Sequence, residues 1–341
     1  MEKEGRKIEL ESGAGGEKSN ALIGRIKKNF KVKGIWKNLE DDAATFDLAC
    51  IGTFDVHNGH QMSTKLVFTT DAFIIDPIFF PGGDIGKIAV CGTINDLSVM
   101  GAVPAGLSLS LVIEEGFPEK DLEKIMQSIN SVCKEVNVPI VTGDTKVTEK
   151  GKIDKIEITT SGVGFASKII ENGGARPGDA VIVSGDLGEH AVALLASRFN
   201  YRTKIKSDCK PLTKEIQSVS KYLTSCKDPT RGGVAEVLNE IAEKSKVKIV
   251  LKEDILPFKK ETVAISDLLG IDKFAFPSEG RFVATVPKKD AQKTIKILQK
   301  YNPEAKIIGE VAKGKGVYLK TNLGSLKPIE MPTGKLIPRI C

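Results

Sequence analysis

Apolar residues along the chain recur with two different periods, which predicts a protein of mixed helices and strands. Residues 107–113 carry leucine or isoleucine at every second position, the pattern of a half-buried strand. After Pro118, which suits the first turn of a helix, apolar residues recur every three or four positions over residues 122–136. The small-residue segment 84–100 is also predicted to be helical and to end before Gly101.

The amino-terminal part carries shorter signals. The expected elements there are a helix at 22–30, a strand at 43–54, a polar hairpin tip at 55–64 and strands at 65–70 and 139–142. The last two strands are each expected to stop next to an aspartate, Asp71 or Asp144.

Strands and helices alternate in the second half of the chain. The predicted strands are 179–184, 247–251, 281–286, 305–311 and 316–320, and the predicted helices are 188–199, 211–223, 232–244 and 288–300. Glycines concentrated between 162 and 178 mark a change of domain. We therefore expect an α+β protein with two mixed α/β domains, residues 1–165 and 166–330, followed by a mobile tail at 331–341.

The chain ends in a cysteine, Cys341, which no downstream residue can bury. Pro332 and Pro338 fix backbone dihedrals, so the tail is predicted to be an extended arm and not a helix. In an extended arm Arg339 shares a face with Cys341, and its guanidinium favours the thiolate. The terminal carboxylate opposes that effect, so activation needs a partner site. The alternative is that a cysteine ends the chain by chance.

Composition excludes several classes of protein. The 50 basic and 44 acidic side chains leave a net charge of +6, and the lysines are scattered among acids, so a solvated surface is favoured over a nucleic-acid face. The six cysteines contain no C-x-x-C pair, which argues against a zinc ribbon. No apolar run is long enough for a membrane helix, and the charged start does not resemble a signal peptide. We expect a cytoplasmic protein with reduced thiols.

Aspartates are the first candidates for chemistry. Asp42, Asp71 and Asp144 are expected where strands stop, and Asp96 lies in the small-residue helix. Mg²⁺ takes one or two carboxylates and completes its shell with water and phosphate oxygens, so aspartates from separate segments suit a nucleotide–metal site. Helix caps and turns are the alternative explanation for each aspartate taken singly.

Two glycine-containing segments offer backbone N–H groups to an anion. Residues 13–16 read Gly-Ala-Gly-Gly, which matches neither a P-loop nor a dinucleotide fingerprint. Residues 228–233 open a helix, with Thr230 as a candidate cap and Arg231 available to an anion. A purely structural helix start is the open alternative for the second segment.

Taken together and in this order, these segments resemble the HypE family of hydrogenase maturation factors, in the PurM-like (AIR synthetase-like) ATP-dependent superfamily. The matching segments are 41–43, 69–71, 76–87, 95–97, 143–147, 228–233, 279–280 and 338–341. The Phe-Phe-Pro-Gly-Gly-Asp run at 79–84 and the Pro-Arg-Ile-Cys ending are specific to this family. Two features depart from its pattern: the glycine loop has no histidine where the family usually reads His-Gly-Ser-Gly-Gly, and the segment 55–65 is longer.

The resemblance implies an activity, cofactors and partners. A carbamoyltransferase of the HypF type would load the thiol of Cys341 with a carbamoyl group, and ATP would serve to dehydrate it to a thiocyanate. The resulting cyanide would pass to an iron scaffold of the HypC–HypD type, for the iron of nickel–iron hydrogenases. The resemblance also implies Mg²⁺ and a homodimer in which the amino-terminal sheets pair as a barrel.

The catalytic residues expected for this reaction are Cys341, Lys146 and Glu279. Lys146 would polarise the carbamoyl oxygen or neutralise phosphate charge, and Glu279 would accept a proton from the nitrogen. A structural ion pair between Lys146 and Glu279 is the alternative. The expected ATP-binding residues are Gly13, Gly15, Asp42, Asp71, Asp84, Asp96, Asp144, Asp228 and Arg231. The expected Mg²⁺ ligands are Asp42, Asp71, Asp96 and Asp144.

Two other functions remain open on the sequence. The first is another enzyme of the superfamily, of the selenophosphate synthetase or thiamine-phosphate kinase type, although residues 11–20 lack the reactive cysteine of the former. The second is a non-catalytic carrier whose tail docks on a partner.

Overall fold

The computed structural model describes residues 16–27, 36–38, 41–47, 64–333 and 337–341. The glycines Gly13 and Gly15 lie outside the described residues, as does the expected hairpin tip apart from Thr64. Helix α1 (Gly16–Lys27) is the first described element and agrees with part of the helix predicted there.

A six-stranded sheet forms the first half of the structure. Its strands are β1 (Trp36–Lys37), β2 (Ala44–Asp47), β3 (Lys65–Phe73), β6 (Val103–Glu114), β7 (Ile140–Thr148) and β8 (Ile156–Ala166). They are ordered β1-β2-β3-β8-β6-β7, and only the β6–β7 pair is parallel. Helices α2 (Ile85–Val99) and α3 (Glu119–Val136) pack on one face, and a hairpin of β4 (Phe79–Phe80) and β5 (Gly83–Asp84) precedes α2.

Helix α2 is buried nearly along its whole length because it packs between the sheet and α3. Its small residues make this possible. A Cβ on Gly86 would lie 2.7 Å from a methyl of Ile125, and one on Gly92 would lie 2.9 Å from the ring of Phe73. Asp84 starts the helix by accepting the N–H groups of Gly86 and Lys87. The predicted helix is therefore confirmed, and its composition reflects close packing.

A seven-stranded sheet forms the second half, ordered β10-β12-β9-β13-β11-β14-β15. Its strands are β9 (Asp179–Val183), β10 (Ser225–Lys227), β11 (Lys248–Lys252), β12 (Val283–Pro287), β13 (Lys306–Ala312), β14 (Gly316–Lys320) and β15 (Leu326–Pro328). Its helices are α4 (Glu189–Arg198), α5 (Thr213–Val219), α6 (Gly233–Ser245), α7 (Lys260–Leu269) and α8 (Lys288–Leu298). Thus the predicted α+β class with two mixed α/β units is confirmed.

The buried amide of Asn95 joins the two halves. Its nitrogen donates to the carbonyl oxygens of Lys210 and Glu279, both at 3.1 Å. Its oxygen accepts the N–H of Leu212 at 2.8 Å. One side chain on α2 thus fixes three backbone groups of the second half, immediately beside Asp96.

Several predicted boundaries are wrong. Strand β3 continues past Asp71 to Phe73, and β7 runs through Asp144 to Thr148, so neither aspartate marks a strand end. Strand β8 was not predicted because its glycines read as breakers. Gly162 is required there because a Cβ would lie within 2.8–2.9 Å of side chains from α2 and β6.

Candidate active site

Four aspartates from separate elements meet at the junction of the two halves, and we call Asp42, Asp71, Asp96 and Asp228 the acidic cluster. Asp42 precedes β2, Asp71 lies within β3, Asp96 lies near the end of α2 and Asp228 follows β10. The carboxyl groups of Asp71 and Asp96 lie close enough to shift each other's pKa. The predicted set of gathered aspartates contained Asp144 and not Asp228. The structure brings Asp42, Asp71 and Asp96 together, and the fourth member is Asp228, which was expected only as an ATP-binding residue.

Two threonines hold the carboxylates in place. The hydroxyl of Thr69 lies 2.9 Å from Asp96 and 3.0 Å from the carbonyl oxygen of Asp42. Thr93 donates to Asp71 at 3.4 Å. Thr69 stands two residues before Asp71, so both project from the same face of β3.

Burial and mutual repulsion raise the pKa values of the cluster. Desolvation raises the pKa of Asp96 well above its ordinary value, and the charges of Asp71, Asp228 and Asp42 add to the effect. The pKa of Asp228 rises to about 7, first because of burial and then because of Asp42. The acidic cluster therefore holds more negative charge than its surroundings neutralise.

Two cations face the acidic cluster. Lys227 forms an ion pair with Asp42 and lies 3.4 Å from Glu240. Arg231 stays exposed at the rim and attracts Asp71, whose pKa it lowers against the larger raising effect of burial. An exposed guanidinium near a half-buried carboxylate remains available to an anionic ligand.

The cluster has the chemistry of a magnesium–phosphate site. The Oδ2 atom of Asp42 is buried and has no hydrogen-bond partner among the described residues. Among the ranges that the structure covers, no three His, Cys, Asp or Glu side chains form a ready-made metal site. Mg²⁺ at this place would need water and phosphate oxygens to complete its shell, as it does in nucleotide sites.

The carboxyl-terminal thiol reaches this cluster. Cys341 is half-buried, and its pKa responds to Glu279, Arg231, Asp71 and Asp228. Burial raises the pKa of the thiol most, and the charge of Glu279 raises it further, while Arg231 lowers it. The docked cysteine is therefore a neutral thiol, which is a poor nucleophile.

Glu279 is the acidic side chain with the largest effect on the pKa of that thiol. It is buried, and its Oε1 atom has no hydrogen-bond partner among the described residues. Its backbone is fixed, because its N–H donates to Asp208 at 2.9 Å and its carbonyl oxygen accepts from Asn95. Burial, followed by the nearby Cys209 and Asp228, raises the pKa of Glu279 well above its usual value. A raised pKa makes the ionised form of this carboxyl a stronger proton acceptor than an ordinary glutamate.

The tail departs from the predicted straight arm at Arg339, whose φ is +54°. Its guanidinium forms an ion pair with Asp154. The cation beside Cys341 is Arg231. The prediction that Arg339 faces the thiol is therefore wrong, because a left-handed residue interrupts the alternation on which it rested.

Three predicted site residues lie elsewhere in the protomer. Asp84 caps α2 and also contacts Ser128, so its carboxylate is fully used by the fold. Asp144 and Lys146 form an exposed ion pair of 2.9 Å on the edge strand β7. Three strand spacings separate β7 from β3, about 14 Å, so this pair does not reach the acidic cluster of its own chain.

The start of α6 differs from the prediction in one detail. Gly232 is its cap residue, with φ +77°, and no side chain caps the helix, so Thr230 does not do so. Glu236 in the first turn accepts the N–H of Gly16 at 2.8 Å. The last residue of the glycine segment 13–16 is thereby placed against α6.

Lys227 and Thr69 were not predicted, although each stands within two residues of a predicted aspartate. His190 and Arg198, which contact the tail, have no local signal in the sequence.

Comparison with known protein families gives a match to each half of the structure. The AIR synthase related family matches twice, its N-terminal domain at residues 40–166 and its C-terminal domain at residues 176–322. The fold and the acidic cluster thus define an AIR synthase related protein.

Individual relatives that are similar over nearly the whole chain identify the family within this class. A putative hydrogenase expression/formation protein of Methanocaldococcus jannaschii is 44% identical over 98% of this chain and 100% of its own length. The carbamoyl dehydratase HypE of Rhizobium leguminosarum bv. viciae is 38% identical over 98% of this chain and 95% of its own. The chain belongs to the HypE family of hydrogenase maturation proteins.

Two solved structures have the same architecture. A HypE–HypF complex contains a chain that is 38% identical, with a TM-score of 0.81 over 92% of this chain and 100% of that one. A HypE in complex with ATP is 31% identical, with a TM-score of 0.78 over 98% of this chain and 100% of that one.

Proposed function

We propose that this protein is an ATP-dependent carbamoyl dehydratase that converts S-carbamoyl-Cys341 into S-cyano-Cys341, the source of a cyanide ligand for nickel–iron hydrogenase. The observation that carries the proposal is the position of the terminal thiol. Cys341 sits beside the acidic cluster, the exposed Arg231 and the buried Glu279. Relatives named carbamoyl dehydratase and a relative that binds ATP support it.

The reaction has two steps whose atoms balance. The carbamoyl oxygen attacks the γ-phosphorus of ATP, ADP leaves, and the nitrogen loses one proton, which gives an imidoyl phosphate on sulfur. The carbon–oxygen bond then breaks, phosphate leaves, and the nitrogen loses its second proton as the C≡N bond forms. Phosphorylation is needed because hydroxide is a poor leaving group, and placing the two reactants together supplies much of the rate.

The residues near the thiol take separate roles. Glu279 accepts protons from the carbamoyl nitrogen, because its unpartnered oxygen is buried next to Cys341. Arg231 binds phosphate oxygens from the rim. The proposed ATP site also includes Gly13, Gly15 and Asp228.

We propose that Asp42, Asp71 and Asp96 hold Mg²⁺ in this site. The orphaned Oδ2 of Asp42 and the raised pKa of Asp96 both fit a cation there. Bound Mg²⁺ would neutralise phosphate charge during transfer. Without the metal, the carboxylates of such a site repel one another, and bound Mg²⁺ would offset that repulsion.

A homodimer is the proposed functional unit. The face of the first sheet that lacks α2 and α3 is apolar and exposed, with Phe68, Val103 and Phe165 at 40%, 55% and 42% exposure. The edge strand β7 is exposed along its centre. Pairing of two such sheets covers both surfaces. Asp144 and Lys146 on β7 would then serve the acidic cluster of the partner copy.

The domain division of residues 1–165, 166–330 and a 331–341 tail is part of the same proposal. The partners are a HypF-type carbamoyltransferase and a HypC–HypD-type scaffold. A relative in complex with HypF supports the first partner. Among the described residues no helix has the length and apolar character needed to cross a bilayer. Cytoplasmic location stays a proposal, supported by the five cysteines within the described ranges, all of which are free thiols.

Mass spectrometry of the C-terminal peptide tests the function. The protein is first carbamoylated and then incubated with Mg²⁺ and ATP, which should remove the mass of one water from the peptide that ends in Cys341. A non-hydrolysable ATP analogue is the control and should leave the mass unchanged. An unchanged mass with ATP would reject dehydration and leave the carrier and kinase alternatives.

The kinase alternative predicts a different result with the tail. A kinase of a free small molecule would keep its turnover in Cys341→Ala, whereas the dehydratase has no substrate without that sulfur. The docked position of the tail beside the acidic cluster favours the dehydratase.

A further inference from the structure

The docked tail is held in part through its backbone, in addition to the buried side chains of Ile337 and Ile340. Three consecutive carbonyl oxygens, those of Pro338, Arg339 and Ile340, accept hydrogen bonds from side chains of α4. The carbonyl oxygen of Arg339 also accepts the N–H of Asp76 at 3.1 Å. None of these bonds involves the sulfur of Cys341.

Arg198 makes the largest number of these bonds. Its Nη1 donates to Pro338 at 3.1 Å and its Nη2 to Arg339 at 2.9 Å. Its Nε and Nη2 also donate to the carbonyl oxygen of Asp76, at 3.0 and 2.6 Å. The described hydrogen-bond partners of this guanidinium are all carbonyl oxygens, so the tail supplies two of the three groups that satisfy it.

His190 holds the last peptide group before the cysteine. It is fully buried, and its Nε2 lies 2.8 Å from the carbonyl oxygen of Ile340. A carbonyl oxygen only accepts, so Nε2 carries the proton and Nδ1 accepts from the hydroxyl of Ser207 at 2.8 Å. Ser207 in turn accepts the N–H of Cys209 at 3.1 Å, which fixes the orientation of its hydroxyl.

We propose that Arg198 and His190 form a tail latch, a pair of positioning residues that binds the backbone of residues 338–340 and sets how often the tail is docked. The latch itself stands on the contacts above, while its catalytic meaning rests on the proposed function. Backbone recognition is indifferent to what the sulfur carries, so free, carbamoylated and cyanated tails can dock alike.

The proposed cycle needs such a device. The docked thiol is half-buried, so a partner carbamoyltransferase has little access to it there. The tail must leave the site to be loaded and return to react with ATP. Weakening the latch therefore favours loading and opposes dehydration.

The rate at which iodoacetamide alkylates Cys341 measures the undocked fraction directly. It is followed by mass spectrometry of the C-terminal peptide, so reaction at other cysteines does not interfere. Arg198→Ala should raise this rate by at least about tenfold, since each hydrogen bond from a charged donor contributes roughly that factor. The alkylation rate of Arg198→Lys should lie between those of wild type and Arg198→Ala, because an ammonium cannot reach three carbonyl groups at once. Arg202→Ala, an exposed arginine four residues further on, is the matched control and should leave the rate unchanged.

His190 provides an independent pair of variants. His190→Gln keeps an N–H donor near the position of Nε2 and should dock the tail better than His190→Ala. If Arg198→Ala loses ATP binding, and so is misfolded, the comparison of these two variants decides the question.

The two half-reactions separate a latch from a merely structural role. In Arg198→Ala, ATP-dependent dehydration of the loaded protein should fall about tenfold, while acceptance of the carbamoyl group should be equal or faster. Equal alkylation rates in Arg198→Ala and wild type, or a parallel fall in both half-reactions with ATP binding intact, would overturn the latch. Faster alkylation in a protein whose wild type never dehydrates would support the latch and reject the proposed function.

Discussion

Asp228→Asn should destroy activity and yet stabilise the fold at neutral and higher pH. Asp228 is buried in the acidic cluster, and its pKa rises from 3.8 to about 7. The folded protein therefore keeps this proton at pH values where the unfolded chain has lost it. Stability declines as the pH rises from the ordinary pKa towards 7, and the loss is complete above 7.

The size of the effect follows from that interval. Each pH unit corresponds to 1.36 kcal/mol, so ionised Asp228 costs up to about 4 kcal/mol above pH 7 relative to pH 4. Asparagine has nearly the same shape and never ionises. The stability advantage of the variant over wild type should thus grow by up to about 4 kcal/mol between pH 4 and pH 8, which in a chain of this size is about 5–10 °C in melting midpoint.

Thermal unfolding of both proteins at a series of pH values tests this reasoning. The decisive quantity is how much the difference in melting midpoint between Asp228→Asn and wild type grows with pH, because any direct effect of the amide is the same at every pH. Asp267→Asn, at an exposed position, should shift the midpoint little at any pH. A difference between Asp228→Asn and wild type that stays constant from pH 4 to pH 8 would refute the argument.

Three further predictions concern the reaction. Glu279→Gln should slow dehydration of loaded protein by about 10²–10⁴-fold without changing the alkylation rate of Cys341, as single-turnover assays would reveal; a rate near wild type would remove Glu279 as the base. Mixing inactive Lys146→Ala with inactive Cys341→Ala should restore about a quarter of wild-type activity if Lys146 acts on the partner's tail, and none if it acts in its own chain. Ile340→Ala removes a side chain that is only 2% exposed and should undock the tail, with alkylation at least tenfold faster; an unchanged rate would show that this anchor is dispensable.

Three of the four members of the acidic cluster were expected to gather because they carry local signals, whereas Asp228 was expected only as an ATP-binding residue. Asp42, Asp71, Asp96 and Asp228 each stand beside an apolar element, and the resemblance placed them in one family pattern. Helix α3 was predicted with its inward face, and Ile125, Ile129 and Val132 are indeed buried there.

The remaining features depend on tertiary structure. Asp144 carries the same local signal as Asp71, but the strand order places it at the far edge of the sheet. Strand β8 could not be predicted because its glycines, which resemble a chain break in the sequence, are required by close packing against α2. The latch could not be foreseen either, since Arg198 is 140 residues from the Pro338 that it binds. Sequence spacing says nothing about such pairs.

Asn95 has a consequence for how this protein moves. Its amide ties α2 to three peptide groups of the second half, including that of Glu279, and the next residue along the chain is Asp96. A hinge rotation between the halves would break these bonds and move Glu279 away from the carboxylates in the same event. The two halves are therefore expected to stay rigid relative to each other, so that any movement of Cys341 toward a partner enzyme would have to come from the tail alone.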